Sequence, residues 1–506
     1  MNTNILQWYP FKKNADILYL TVKEEIEIEK YLSKISNKLK VIKFGNNEST
    51  IIKTFQNIEK VEGKYDKISI NKKYDYIILL ETLEYANEII KSGNAYIELL
   101  KYSKEALKED GTILLALDNR LGVRYLVGNK SEHCSNIYDS IKNKYNIGKM
   151  FSKEEIGEII EKVGFNYRKN YYPLPNYKNA NVIYTDKMLP KKEDNKINYN
   201  VVYDKDSLIV QDEIVLLKQF IGEQNFSEYT NSYLIELSNS DIDNKIKYIS
   251  YNDMRKEEYS LILKMYDDRV EKHIKGSIAK KHIQEINNNN AKLRKLGFKI
   301  AEEEALQENV IESKLIEMPL LDSYIAKLIK KNDIDEAYKI IDTWYKFIGE
   351  KLKVDKNGNI KDGFIDLVFE NTFYNSKDNN FVFFDQEWYM ENVKIEFILY
   401  RAIQNLYMHN SMLSNYLPKE EMLSKYGIKD KNEYKDLEKD LQEKVIDEEK
   451  RKFYSEQYKY IISSEEIIEI IENLKRFDKD NKELINEINK IRNMSVLDII
   501  KDKMKR

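Results

Sequence analysis

The sequence predicts a mixed protein in three parts: a parallel α/β fold, a two-lobed α+β fold and a helical C-terminal extension. Three observations lead to this prediction. Short apolar strands alternate with amphipathic helices early in the chain, which is typical of a parallel sheet covered on both faces. Strands of alternating polarity follow, as in antiparallel sheets. The chain after Pro418 is charged and free of further proline. We place the parts at 1–190, 225–417 and 418–506, with a linker at 191–224.

The first part contains four predicted strands and three predicted helices. The strands lie at 15–20, 39–44, 73–81 and 112–119, and the helices at 24–36, 87–108 and 152–165. The strand at 73–81 ends in an acid. The last helix has Ser152 as its N-cap and Glu155 three residues later, which is a capping box, and it ends at Gly164.

The second part begins with antiparallel strands and becomes helical. We predict strands at 232–238, 245–252, 257–266, 269–275 and 309–317, helices at 277–296 and 333–353, and a strand pair at 372–375 and 381–384. In the extension, Leu484, Ile488 and Ile491 have helical spacing over too few heptads to predict a coiled coil. We interpret the extension as a helical cap on the preceding lobe.

Composition excludes several classes of function. Lys and Arg (83) nearly balance Asp and Glu (86), so no basic face indicates nucleic-acid binding. One cysteine and four histidines leave little for a zinc site. No apolar run reaches the roughly 18 residues of a membrane span, and the start does not resemble a signal peptide, so we expect a cytoplasmic chain. No G-x-G and no P-loop occurs, so a nucleotide site would need another design.

The first part resembles class I S-adenosylmethionine-dependent methyltransferases, in particular methyltransferase-like domains of bacterial surface-glycan gene clusters. The resemblance covers about residues 7–190 and is most specific at Asp118-Asn119-Arg120-Leu121-Gly122, with Arg124, Tyr125, Gly128, Glu132 and His133. It implies a Rossmann-like fold. For Asp118, Arg120 and His133, a structural role and a functional role are both open.

The sequence departs from that family at the cofactor loop. The first strand runs into Thr21-Val22-Lys23-Glu24-Glu25, where the family has glycines that admit the cofactor. The second strand ends in Gly45-Asn46-Asn47 with no acid for the ribose, although Glu48 is near. We therefore expect a domain that keeps the fold, with S-adenosylmethionine a doubtful cofactor.

The second part resembles protein-kinase-like and aminoglycoside-phosphotransferase-like enzymes over about residues 225–415. Asp366 and Asn371 have the D-x-x-x-x-N spacing, and Asp385 follows an apolar strand with Glu387 nearby. The resemblance implies Asp366 as the catalytic acid, with Asn371, Asp385 and Glu387 holding Mg²⁺. It also implies ATP as cofactor.

The same resemblance implies a lysine on the third strand that binds the phosphates. Lys272 fits this place, with Lys264 as the alternative, and Glu285 on the following helix is its candidate partner. The expected phosphate-covering loops at 238–245 and 251–258 contain no glycine.

Three functional hypotheses remain open. The first is an ATP-dependent phosphotransferase acting on a sugar, amino-acid or glycan acceptor in bacterial surface-glycan or flagellin modification, with the first part as a recognition module. The second is an S-adenosylmethionine-dependent methyltransferase with an unusual cofactor loop. The third is a double pseudoenzyme that scaffolds other glycan-pathway enzymes. The oligomeric state is open.

Overall fold

The computed structural model describes residues 1–45, 50–55, 57–191, 197, 199–302, 309–428 and 431–493. The strands within these residues are β1 (Ala15–Thr21), β2 (Ser36–Phe44), β3 (Thr50–Phe55), β4 (Ile58–Gly63), β5 (Tyr74–Leu80), β6 (Leu107–Asp118), β7 (Tyr167–Leu174), β8 (Val182–Thr185), β9 (Ser232–Ser238), β10 (Tyr248–Tyr251), β11 (Leu261–Met265), β12 (Arg269–Ile274), β13 (Val310–Lys314), β14 (Asn359–Phe364), β15 (Thr372–Asn375), β16 (Asn380–Phe383) and β17 (Tyr389–Lys394).

The α-helices of the described residues fall into an early set between the strands and a late, nearly continuous set. They are α1 (Asn4–Gln7), α2 (Ile26–Ile35), α3 (Ala86–Ile89), α4 (Ala95–Glu105), α5 (Val123–Leu126), α6 (Lys153–Val163), α7 (Glu213–Gly222), α8 (Phe226–Tyr229), α9 (Lys280–Lys295), α10 (Leu321–Lys330), α11 (Ile334–Leu352), α12 (Ile395–His409), α13 (Lys419–Lys425), α14 (Lys431–Val445), α15 (Glu448–Gln457) and α16 (Ser464–Asn493). None of these helices is long and apolar enough to span a membrane.

One large mixed sheet organises the molecule. Its order is β13-β12-β11-β10-β8-β7-β9-β6-β5-β1-β2-β4-β3. The strands β4, β2, β1, β5 and β6 are parallel. The apolar runs predicted this for β2, β1, β5 and β6, whereas β4 was not predicted. The chain moves from β1 to β2 on one side and returns to β5 on the other, so the order reverses between β1 and β5.

Strand β1 buries both of its faces. In β1, Leu18 and Leu20 belong to the core that α4 and α6 cover, whereas Ile17 and Tyr19 belong to the core that α2 covers. Alternate side chains of a strand point to opposite faces of a sheet, so one apolar run supplies both cores. The capping box is confirmed: the Ser152 side chain accepts from the backbone N–H of Glu155, and Gly164 ends α6 in the left-handed conformation.

One strand has different neighbours from those that the sequence analysis predicted. Strand β9, which we expected to open the second part, lies between β6 and β7 and is antiparallel to both. Strand β10 then pairs with β8, so the strands of the second part continue the first sheet. The boundaries at 190 and 225 stay a prediction, and residues 192–196 of the expected linker lie outside the described residues.

Several of the other predicted elements are present with shifted ends, whereas β3, β4, β7, β8, β14, β17, α7, α10 and α12 were not predicted. The helix expected at 87–108 is divided into α3 and α4, and β11 starts only at Leu261, after a 3₁₀ turn at Glu257–Tyr259. Helices α10, α11 and α12 surround a separate apolar core, which α13 and α14 also join. Helix α16 does not fit the expected cap, because most of its apolar side chains are exposed.

Candidate functional site

The strongest candidate for a functional site lies at the carboxyl ends of β1, β5 and β6. Ligands of open α/β sheets bind outside the carboxyl ends of the strands, where the strand order reverses. Here that position is between β1 and β5. Thr21 ends β1, Glu81 directly follows β5, and Asp118 ends β6. We call this place the crevice.

Local backbone geometry fixes Glu81 in the crevice. Glu81 has a positive φ of 67°, which is uncommon for a residue with a side chain. Its backbone N–H donates to the carbonyl of Ala116 at 2.9 Å. The hydroxyl of the next residue, Thr82, donates to the carbonyl of Leu20 at 2.7 Å and so ties the end of β5 to β1.

Two lysines bridge two acids at the entrance of the crevice. Lys23 Nζ lies 2.8 Å from Glu81 Oε1 and 2.8 Å from Glu132 Oε2. Lys178 Nζ lies 3.0 Å from Glu81 Oε1 and also contacts Glu132. Burial raises the pKa of Glu81, whereas the neighbouring lysines lower that of Glu132 despite its partial burial.

A second layer of the crevice is fully buried and only partly hydrogen-bonded. Glu84 Oε1 accepts from the backbone N–H of Asp118 at 2.9 Å, while Glu84 Oε2 has no hydrogen-bond partner. Burial, together with the charges of Asp118 and Glu81, raises the pKa of Glu84 well above its usual value.

His133 is a neutral imidazole with a free lone pair. Its Nδ1 lies 3.1 Å from the carbonyl oxygen of Ile147, so Nδ1 carries the hydrogen and donates it. Its Nε2 has no hydrogen-bond partner and lies 3.7 Å from Glu84 Oε1. Burial lowers the pKa of His133, which keeps the ring uncharged at neutral pH.

The crevice carries more acid than base. Four carboxyl groups (Glu81, Glu84, Asp118 and Glu132) lie around the ammonium groups of Lys23 and Lys178. One atom each of Glu81, Glu84 and His133 lie within 4.8 Å of one another, as do atoms of Asp118, Glu132 and His133. The arrangement can therefore hold a cationic group, either an organic cation or a metal ion.

The expected obstruction of the first turn is only partly present. Glu24 pairs with Lys60 at 2.8 Å, and Glu25 accepts from the α-amino group of Met1 at 3.2 Å. Of the three charged residues after Thr21, Lys23 alone makes ion pairs with acids of the crevice. The acid expected after β2, Glu48, lies outside the described residues.

The sequence identified part of this crevice and missed the rest. It singled out Asp118 and His133, which both line the crevice, and Arg120, which instead contacts Glu155 at 2.8 Å beside the capping box. It did not assign a role to Glu81, Glu84 or Lys178. The acid at the end of the 73–81 strand was the one available signal, because carboxyl ends of parallel strands meet at one edge.

The second cluster contains most of the residues that the kinase-like spacing predicted. Lys272, on β12, forms an ion pair with Asp385 and lies 3.4 Å from Glu302. Lys272, and not Lys264, is thus the lysine that pairs with Asp385. Glu285 instead lies 3.7 Å from Lys281 on the exposed side of α9, so the expected pairing of Lys272 with Glu285 is wrong. Glu302 takes that place and also accepts from the backbone N–H of Asp385 at 2.7 Å.

Two arginines complete the second cluster. Asp366 accepts from the backbone N–H groups of Glu387 at 3.0 Å and Trp388 at 2.7 Å, and lies 3.4 Å from Arg401. Glu387 pairs with Arg255. Burial raises the pKa of Asp366 to about 7, and burial raises that of Asp385 to about 6.

The side-chain amide of Asn371, the predicted metal ligand, hydrogen-bonds to backbone carbonyls of the chain. Its Nδ2 donates to the carbonyl oxygens of Asp366 at 3.3 Å and Asp385 at 3.4 Å. Lys272, Arg255 and Arg401 each face one of the acids Asp385, Glu387 and Asp366. Each of these three acids therefore has a cation of the chain beside it, while Glu302 shares Lys272 with Asp385.

Comparisons with known proteins bear on the first part of the chain. No protein-family model matches the sequence, and no curated protein is significantly similar to it. Among solved structures, an S-adenosylmethionine-dependent methyltransferase from Archaeoglobus fulgidus is 14% identical with a TM-score of 0.28, covering 46% of this chain and 91% of its own. A possible histamine N-methyltransferase from Thermotoga maritima is 12% identical with a TM-score of 0.26, covering 47% and 86%.

A phosphoethanolamine-type N-methyltransferase from Haemonchus contortus, in complex with S-adenosylhomocysteine, is 13% identical with a TM-score of 0.26 and covers 46% and 51%. The parallel strands of the first part, with their order reversal, have a Rossmann-like arrangement within one large mixed sheet. These neighbours do not show a kinase-like second domain. They contradict the expectation that ATP and Mg²⁺ are the cofactors and that S-adenosylmethionine is doubtful.

Proposed function

We propose that the crevice binds S-adenosylmethionine and that the chain is a methyltransferase whose acceptor is deprotonated by His133. The observation that carries the proposal is the group of four acidic side chains around two lysines at the carboxyl ends of β1, β5 and β6. When bound, S-adenosylmethionine supplies a methyl group on a positively charged sulfonium. An acid-rich crevice with low exposure favours such a cation over its neutral counterpart.

Lys23 is the residue that must move to admit the cofactor. Its ammonium now neutralises Glu81 and Glu132 at 2.8 Å each. The Lys23 side chain is 40% exposed, so it can turn into solvent without breaking a packed core. Its departure leaves Glu81 and Glu132 available to a ligand cation, while Lys178 keeps their position.

His133 is placed to take a proton from the acceptor. A general base needs a lone pair at hydrogen-bond distance of the acceptor and a pKa that keeps it unprotonated. His133 Nε2 has a free lone pair because Nδ1 donates to Ile147, and burial lowers its pKa; we infer that the acceptor binds beside Nε2. The imidazolium formed would lie beside Asp118, which stabilises its charge. As acceptor we propose a sugar, an amino acid or a glycan, the class that the sequence analysis gave for the phosphotransferase hypothesis.

For the second cluster we infer a stabilising role. Lys272, Arg255 and Arg401 pair with Asp385, Glu387 and Asp366, and the Asn371 and Gln386 amides donate to backbone carbonyls, so these groups have partners within the chain. The cluster connects β12 to the segment that follows β16. These contacts favour a structural role for the second part of the chain, beside the methyltransferase-like part.

Calorimetry with two ligands and two variants tests the proposal. The parent protein should bind S-adenosylmethionine more tightly than S-adenosylhomocysteine, which lacks the charge. Glu81→Gln should weaken S-adenosylmethionine binding about 10- to 100-fold, the effect of one charge a few ångströms away, and S-adenosylhomocysteine binding much less. Glu24→Gln, in the same turn but paired with Lys60, is the matched control and should leave both affinities unchanged. No binding by the parent at millimolar S-adenosylmethionine, or equal effects of both variants, would contradict the proposal.

A further inference from the structure

Helix α16 exposes an apolar surface along most of its length. It is one continuous helix of 30 residues, about 45 Å long. Seven apolar positions form a row that we call the stripe. Its members are Ile467, Ile470, Leu474, Phe477, Leu484, Ile485 and Ile488. Most of these residues are at least 45% exposed. A stable helix of this length normally buries such a face, and exposed patches of this kind mark interaction sites.

The stripe follows a heptad repeat. With Ile467 at position a, later a positions fall on Leu474, Asn481 and Ile488. The d positions fall on Ile470, Phe477 and Leu484. Apolar residues at a and d every seven positions are typical of a coiled coil. A single asparagine at an a position determines the register and the number of helices in such a coiled coil.

We propose that α16 forms a parallel two-stranded coiled coil with α16 of a second copy of this chain. In a parallel pair, each a position faces the same a position of the partner, so the two Asn481 side chains meet and hydrogen-bond to each other. An antiparallel pair centred on the stripe would place Asn481 against Phe477 and leave its amide unpaired, which is costly. The parallel arrangement also brings Glu487, at a g position, to the partner helix's e position, which is occupied by a basic residue, Arg492 in this chain.

The base of α16 is tied to the body of the protein. The backbone N–H of Ile462 donates to the carbonyl of Ile209 at 2.8 Å, and Ser463 and Glu466 form reciprocal caps at 2.8 and 3.1 Å. The helix therefore starts from a fixed point beside α7 and the first part. A parallel pair places the bodies of both copies, and both crevices, at the same end of the coiled coil.

Sedimentation equilibrium of the full chain tests the proposal. The parent should have twice the chain mass of 60.3 kDa at micromolar concentration. The double variant Leu474→Asp with Leu484→Asp should raise the dissociation constant of the dimer at least about 100-fold, because it puts charges into two core layers. Ile468→Asp is the matched control: Ile468 is 57% exposed on the same helix but at a b position, and its variant should stay dimeric. Thermal melts of the body should be unchanged in all variants.

The relative orientation of the two α16 helices has its own test. Asn481→Cys should form an intermolecular disulfide on mild oxidation, because a parallel pair brings the two 481 positions together. The one native cysteine, Cys134, is buried and gives the background. A monomeric parent, a double variant that stays dimeric, or a dimeric Asn481→Cys protein that does not cross-link would overturn the proposal. A trimer or tetramer would overturn the two-stranded assignment.

Discussion

Replacing Lys272 by Met is the sharpest test of the second cluster. Lys272 is 8% exposed, and its ammonium contacts Asp385 and lies 3.4 Å from the buried Glu302. Met keeps most of the side-chain stem, so the packing loss is small and the charge loss dominates. Removing one member of a buried ion pair costs about 3–5 kcal/mol, because the other member is left uncompensated. The Asp385 side chain is 34% exposed, which places the expected loss at the low end, about 3 kcal/mol.

The loss should depend on pH in a defined direction. Burial raises the pKa of Asp385 to about 6 in the parent, above its value in an unfolded chain. A raised carboxyl pKa contributes stability at low pH that is lost as pH rises through the folded-state pKa. Without Lys272 that pKa rises further, so the variant should lose more stability than the parent between pH 5 and pH 8.

Urea unfolding followed by circular dichroism at pH 5 and pH 8 measures both effects. Lys281→Met is the matched control, since its partner Glu285 is on the same helix and Lys281 is 86% exposed. An exposed pair of this kind contributes less than about 0.5 kcal/mol. Equal stability of the Lys272 variant and the control, or a loss that is larger at pH 5 than at pH 8, would refute the idea that Lys272 neutralises the cluster.

Three further changes test the first part of the chain. His133→Asn should abolish methyl transfer while leaving S-adenosylmethionine binding intact by calorimetry, and in the parent the rate should decline with acid only below pH 6.5, since burial lowers the pKa of His133. Gly128→Ala should destabilise the fold by at least about 2 kcal/mol in thermal melts, because Gly128 has a φ of 103° and a Cβ atom would lie 1.9 Å from the carbonyl oxygen of Leu208. Ser152→Ala should cost about 1 kcal/mol by removing the N-cap of α6, whereas Ser152→Thr should retain most of the stability.

Local patterns predicted the elements well because each is determined by nearby residues. The apolar runs of β1, β5 and β6 require burial on both faces, and Ser152 with Glu155 makes the start of α6 visible in the sequence. Asp366, Asn371 and Asp385 also lie together, as their spacing suggested. These contacts span at most 19 residues of sequence.

Long-range contacts could not be predicted in this way. All seven residues of β9 are buried, so its composition fits any interior strand and does not say which neighbours it has. Lys178 reaches Glu81 across 97 residues, from a loop whose sequence shows no charge pattern. Glu285 was preferred over Glu302 because it is on the helix after Lys272, but the turn of α9 that carries Glu285 faces solvent, and Glu302 follows that helix.

The place of β9 has a consequence for the order in which the protein can fold during synthesis. Strands β6 and β7 are complete at Leu174, yet the strand that joins them ends at Ser238, 64 residues later. At about 5–20 residues per second, the ribosome leaves those two edges unpaired for several seconds. Unpaired edges are templates for pairing with other chains. The nascent chain is thus most vulnerable to misassembly in this interval, and a shortened chain that stops at residue 190 would remain in that state permanently.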